Sequence, residues 1–164
     1  MNFIYKQNLV LLIRALYFCM EEQWAKLGKE YDLSPAQQHI LFILTTNNKT
    51  LTPSEISAIG CWHLSTVTRL LKPLKEKGFI SIKRDQNHSK FKRVTITKDG
   101  EQLFMRIIYN IIENDFFPFK MNQLCEKEIE IFLQCGQKIL DINRGLSIRE
   151  KIFDAKIDGI HYEY

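Results

Sequence analysis

At 164 residues the chain has room for one domain, with or without appended helices, and can bury a core without disulfide or metal staples. Its 45% hydrophobic and 26% charged residues lie near the globular average, which excludes a disordered class. The net charge of +4 is unevenly spread: residues 63–98 hold ten Lys and Arg against two acids, a net +8, leaving −4 for the rest. A basic block within an otherwise acidic chain is the footprint of a surface that meets a polyanion.

Residues Phe3 to about Tyr31 place Leu9, Leu12, Leu16, Met20, Trp24 and Leu27 three or four apart, which predicts a long amphipathic helix. Such a helix at a chain end is expected to pack on a partner subunit. The longest early apolar run, Leu9 to Ile13, is broken by Arg14 and followed by Glu21 and Glu22. It reads as too short for a membrane span and lacks a secretory cleavage pattern, so no membrane association and a cytoplasmic location are expected. Cys19, Cys61, Cys125 and Cys135 are far apart, and buried reduced thiols are expected rather than a zinc cluster or disulfides.

Ser34-Pro35 predicts the start of a second helix carrying Ile40, Leu41, Ile43 and Leu44, ended by Asn47, Asn48 and Lys49. Thr52-Pro53-Ser54-Glu55 predicts a third, with Thr52 as cap and Glu55 returning its bond. Gly60 is expected to stop it in a left-handed conformation. A fourth helix follows from about Leu64 to Lys77, closed by Gly78, with Leu64, Val67, Leu71 and Leu74 on its inner stripe. Two helices joined by a tight glycine-containing turn outline a helix-turn-helix. Pro73 inside the fourth helix predicts a kink or an early end, since an interior proline costs about 3 kcal/mol.

Alternation in Phe79–Arg84 and Val94–Thr97 predicts a two-stranded hairpin with a basic tip, a wing. Asp99-Gly100 is expected to end it. Leu103, Phe104, Ile107, Ile108, Ile111 and Ile112 then mark another long helix, stopped by Pro118, and a last one runs from about Cys125 to Asn143. Ile148, Ile152, Phe153 and Ile157 suggest one further helix, which the sequence does not place. The fold class expected is mainly α with a small β-hairpin (α+β): a winged helix-turn-helix core at 34–100 flanked by dimerisation helices at 1–33 and 101–164.

The major groove of DNA admits one helix, whose exposed first turns read base edges. Ser65, Thr66, Thr68 and Arg69 occupy those turns. Hydroxyls bond bases or phosphates, and Arg69 has the planar fork that matches guanine, whereas Lys72 and Lys75 suit phosphates. Arg84, His88, Lys90, Lys92 and Arg93 of the wing are expected at the neighbouring minor groove or its phosphates. The candidate partners are double-stranded DNA and a second copy of the chain.

The stretches LSPAQQHILFIL, LTPSEISAIGCWHLSTVTRLLKPLKEKGFISIKRD and VTITKDGE resemble the winged core of the MarR family of regulators, over about residues 5–145. The HLSTV segment, preceded by Trp62, is similar to the family's Hpr (ScoC) type. The resemblance implies a homodimer with intertwined terminal helices and two recognition helices in successive major grooves, binding a pseudo-palindromic operator and usually repressing transcription. This chain has His88 and Lys90 where the family's wing often pairs an Asp with an Arg.

Alternatives are a winged protein-interaction module that does not read DNA sequence, and a redox- or ligand-sensing regulator. Cys19 falls at helix-core spacing with no cation evident to activate it, and Cys61 lies beside the fourth helix. His39, His63, His88 and His161 are too scattered for a metal site, so no metal and no cofactor are expected. His63 suits a cap on the fourth helix or a phosphate contact. Tyr17, Phe18 and Trp24 could line a pocket for an unidentified small effector, although aromatic residues at helical spacing usually serve the core. No catalytic motif is present, and no enzymatic activity is expected.

Overall fold

The computed structural model describes residues 1–84, 92–113, 120–157 and 160. Helices α1 (Phe3–Tyr31), α2 (Pro35–Thr46), α3 (Pro53–Ile59) and α4 (Leu64–Glu76) come first, with strand β1 (Thr50–Leu51) between α2 and α3. Strands β2 (Ile80–Arg84) and β3 (Lys92–Ile96) follow, then α5 (Lys98–Glu113), a 3-10 turn at Met121–Gln123, α6 (Glu126–Arg144) and α7 (Leu146–Phe153). The strands form one antiparallel sheet in the order β1-β3-β2. This is the expected α+β winged-helix architecture.

The capping box predicted at Thr52 forms, and the cap predicted at Ser34 is also a full box, completed by Gln37. Ser34 Oγ accepts from the Gln37 N–H at 3.3 Å while Gln37 Oε1 accepts from the Ser34 N–H at 2.9 Å. Thr52 and Glu55 repeat the exchange at the head of α3, behind Pro53. These local bonds satisfy donors that every helix start leaves open. They fix where α2 and α3 begin, and tertiary burial supplies the larger energy. Phe104, Ile40, Leu41, Leu44 and Ile56 are essentially inaccessible, at about 1.5–3 kcal/mol each. From the sheet, Ile80, Val94 and Ile96 join the same core.

The C-terminal third of α1 is bolted to α2. Gln38 is fully buried and its Nε2 donates to the Trp24 carbonyl at 2.8 Å, while the Leu33 N–H bonds the Gly28 carbonyl at 3.0 Å. Gly28 lies so close that a Cβ there would stand 2.1 Å from the Leu33 carbonyl oxygen. The N-terminal half of α1 has no such cover, and Phe3, Val10, Leu11, Ile13 and Phe18 are all exposed.

Several expectations need correction. Gly60 is right-handed (φ −78°), and Cys61 is the left-handed residue (φ 54°). Gly60 is required for space instead, since a Cβ there would sit 2.5 Å from the Trp62 ring. Asp99-Gly100 does not end the hairpin but lies in the first turn of α5, where Thr97 Oγ1 accepts from the Gly100 N–H at 3.1 Å. Pro73 does not end α4, which continues to Glu76 with a Lys77 N–H to Pro73 carbonyl bond of 3.0 Å. Leu64 is exposed rather than on the inner stripe, because the first turn of α4 projects past the core. The four cysteines are exposed, not buried. Cys19 lies on α1 and Cys135 on α6, which contributes no buried residue. Ile112 is likewise exposed, and Pro118 falls outside the described residues.

The apolar stretch at the start of α1 is longer than the Leu9–Ile13 run suggested. By length and composition alone, α1 is one helix long and apolar enough to cross a membrane, with an 18-residue window of mean hydropathy 1.2. The isolated Leu9–Ile13 run understated it because Tyr, Phe and Ala residues extend the apolar stretch. Strand β1 was not foreseen, since two residues carry no periodicity; its Thr50 hydroxyl meets that of Thr95 at 2.9 Å. The unplaced tail helix is α7, where the Lys151 carbonyl accepts from Asn47 Nδ2 at 3.3 Å and Ile157 enters the core.

Gly28→Ala is expected to destabilise the protein by about 1–3 kcal/mol, the usual cost of overpacking. Gly136→Ala, in α6 with open space around it, is expected to be neutral or stabilising by up to about 1 kcal/mol. Urea unfolding of the two variants checks the contrast.

Candidate nucleic-acid interface

Burial decides which face of α4 meets solvent. Val67, Leu71 and Leu74 are inaccessible and pin one side of the helix to the core. At 100° per residue, Ser65, Arg69, Lys72 and Glu76 then point directly away, with Thr68 and Lys75 on one flank and Thr66 on the other. Ser65, Thr68, Arg69, Lys72 and Lys75 are exposed and Thr66 is half-buried.

The first turn of α4 is held by His63. Its Nδ1 accepts from the Ser65 N–H at 3.3 Å and lies 2.7 Å from Ser65 Oγ. This meets the capping role foreseen for His63 and orients the Ser65 hydroxyl. Thr68 donates its hydroxyl proton to the Leu64 carbonyl at 3.0 Å, so outward it offers only an acceptor. Lys72 lies 3.9 Å from Glu76, and both side chains are well exposed; a pair of that kind contributes about 0.3–0.5 kcal/mol and leaves the lysine free to find other anions.

Only Lys77, Gly78 and Phe79 separate α4 from the hairpin. Gly78 is left-handed (φ 78°), and the Phe79 N–H returns to the Leu74 carbonyl at 3.0 Å. Lys77 turns the other way, bonding the Asp32 carboxylate at 2.6 Å and the Asp32 carbonyl. One cation of the basic block is therefore spent on the α1–α2 junction.

In the hairpin, Arg84 stands opposite Lys92 and Lys83 opposite Arg93, and all four are exposed. Arg84 and Lys92 continue the face that carries Ile82 and Val94, while Lys83 and Arg93 lie on the reverse. Like charges directly across a ladder destabilise it, a cost that this end of the hairpin carries. Lys83 was counted in the basic block but not among the contact residues; the register that pairs it with Arg93 is what singles it out. His88 and Lys90 lie outside the described residues.

Glu55 lies near this end. Its carboxylate accepts the Thr52 N–H at 2.7 Å and the Thr52 hydroxyl at 2.9 Å. The backbone bond above all holds its pKa below the ordinary carboxylate value, against the opposing effect of burial, with Lys151 and Arg93 adding attraction.

The MarR family profile matches residues 33–89, which span α2, α3, α4 and the start of the wing. The winged core is similar to the MarR family over that segment. A transcriptional regulator named Hpr from Bacillus mycoides is 32% identical over 105 residues, which is 64% of this chain and 56% of that protein. A Bacillus thuringiensis Hpr matches to the same extent, so the chain spans little more than half the length of these relatives. Among solved structures, a mutant Escherichia coli MarR complexed with operator DNA superposes with a TM-score of 0.73 at 18% identity, covering 85% of this chain and 99% of that one. The regulator BldR from Sulfolobus solfataricus gives 0.71 at 23%, covering 86% and 99%. These superpositions establish a shared MarR-type winged-helix fold.

The lowered pKa of Glu55 sets the sign of a pH effect. With the folded pKa below the unfolded one, its contribution is fully present above the unfolded value and fades as pH falls through the folded value. Glu55→Ala is therefore expected to cost about 1 kcal/mol at pH 7, with a smaller difference from wild type in acid. Urea unfolding at pH 7 and below pH 4 measures both.

Proposed function

We propose that the chain is a sequence-specific double-stranded DNA-binding transcriptional regulator that works in the cytoplasm as a homodimer and represses from a pseudo-palindromic operator. The observation that carries this reading is the outward stripe of α4: hydroxyls and Arg69 at its capped first turns, lysines beyond, and a like-charged hairpin three residues away. Such a helix suits the major groove, and the hairpin suits the adjoining backbone. The naming of the Hpr relatives as transcriptional regulators and the operator complex of the E. coli protein support the same reading.

In this reading Ser65, Thr66 and Arg69 face base edges, Lys72 and Lys75 face phosphates, and Thr68 serves as an acceptor. Arg84, Lys92, Arg93 and Lys83 hold the flanking backbone, with His88 and Lys90 of the wing assigned there from the sequence. Residues 34–100 form the DNA-binding core. The flanking segments 1–33 and 101–164 form the dimer, for which the exposed apolar surfaces of α1 and α6, including Phe3, Leu11, Phe132 and Ile142, supply the material. A patch of this kind left in water is an association surface.

Arg69→Ala is expected to cost about 1–3 kcal/mol in operator binding and to relax preference at one base position if the guanidinium forks onto guanine. A loss uniform across sequences would make it a phosphate contact. Lys92→Ala is expected to lower the salt dependence of binding by about one unit of slope. Titrations by fluorescence anisotropy at several salt concentrations report both; binding that is insensitive to salt and sequence would refute the proposal.

A further inference from the structure

Two hydroxyls on the outward side of α4 spend their protons within the protein. Thr68 donates to the Leu64 carbonyl at 3.0 Å. Ser65 Oγ lies 2.7 Å from His63 Nδ1, a contact in which either atom could donate. The Ser65 backbone decides between them. Its N–H also bonds His63 Nδ1, at 3.3 Å, and a backbone amide nitrogen only donates. Nδ1 therefore presents its lone pair, the imidazole proton resides on Nε2, and the Ser65 hydroxyl is the donor of the 2.7 Å bond.

Ser65 and Thr68 are both exposed and lie one turn apart, with Arg69 on the far side of Ser65. Each hydroxyl thus turns only oxygen lone pairs outward. In the major groove an acceptor is met by the N6 amino group of adenine or the N4 amino group of cytosine, whereas guanine, thymine O4 and the phosphates offer acceptors. An oxygen whose proton is already engaged has nothing to donate to those groups. Arg69 has the opposite character, since a guanidinium only donates.

We infer that Ser65, held as an acceptor by His63, reads the amino group of an adenine or a cytosine in the major groove, with Thr68 presenting the same polarity beside it. This rests on the reading of α4 as the helix that enters the groove, and it specifies which edge of a base that helix selects. His63 acts through Ser65, as a positioning residue.

Selection of bound fragments from a random DNA pool by the full chain, and by its Ser65→Ala variant, identifies the base pair whose preference Ser65 sets. Fluorescence anisotropy then compares duplexes altered at that pair. For an A·T pair, adenine is replaced by purine, which lacks the amino group, or by 7-deazaadenine, which lacks the ring acceptor. For a G·C pair, pyrimidin-2-one in place of cytosine and 7-deazaguanine in place of guanine make the same two deletions. Removing the amino group is expected to weaken wild-type binding about threefold to tenfold more than it weakens Ser65→Ala. The 7-deaza bases are expected to affect both proteins alike, within about twofold.

His63→Ala is expected to show the reduced amino-group dependence of Ser65→Ala, and His63→Asn, whose side-chain oxygen restores an accepting cap, to regain it. Circular dichroism melts establish that the variants are folded. A purely structural role for His63 would lower affinity for every duplex equally and leave the dependence unchanged, which would overturn the inference. So would an amino-group deletion that costs wild type and Ser65→Ala the same, or a wild-type preference that Ser65→Ala leaves intact. A wild-type pool without any sequence preference would overturn the DNA reading itself, and this inference with it.

Discussion

The structure turns on the burial of Val67, Leu71 and Leu74 against the core formed by α2, α3, α5 and the sheet. These three side chains fix the rotation of α4, and that rotation alone determines that Ser65, Arg69 and Lys72 face solvent. Every one of them is at most 3% exposed, so turning the helix by even one residue would drive apolar surface into water at about 1.5–3 kcal/mol per side chain. No polar contact on the outer face approaches that energy. The outer face is therefore free to be chosen by chemistry, and it is hydroxylic and basic.

The winged core was legible because its signals are local. Ser34-Pro35 and Thr52-Pro53-Ser54-Glu55 specify helix starts by hydrogen bonds within three residues, and the inner stripe of α4 follows from periodicity. Features that depend on contacts distant in sequence were misread. Gly60 is a glycine because of the Trp62 ring, a packing fact that no turn rule contains. Lys77 belongs to the basic block by position, yet its ammonium reaches Asp32, 45 residues away. Lys83 emerged only from the register that sets it opposite Arg93. Strand β1 is too short to have a pattern, and α7 takes its place from Asn47 and the core rather than from its own sequence.

The terminal helices show the opposite balance. Their existence was evident, but the burial expected of Cys19, Cys135 and Ile112 is missing because nothing among the described residues of one copy covers those faces. Exposed apolar residues along α1 and α6 are hard to reconcile with a solitary subunit, which is why the proposed dimer and the winged core are parts of one account.

The central claim is that the outward face of α4, presented twice by a dimer, reads duplex sequence. Selection of bound fragments from a random DNA pool by the full chain at physiological salt tests it most directly. Enrichment of inverted repeats with half-site centres about 10 base pairs apart is the predicted result, and a pool recovered with no sequence preference and no symmetry would contradict the account.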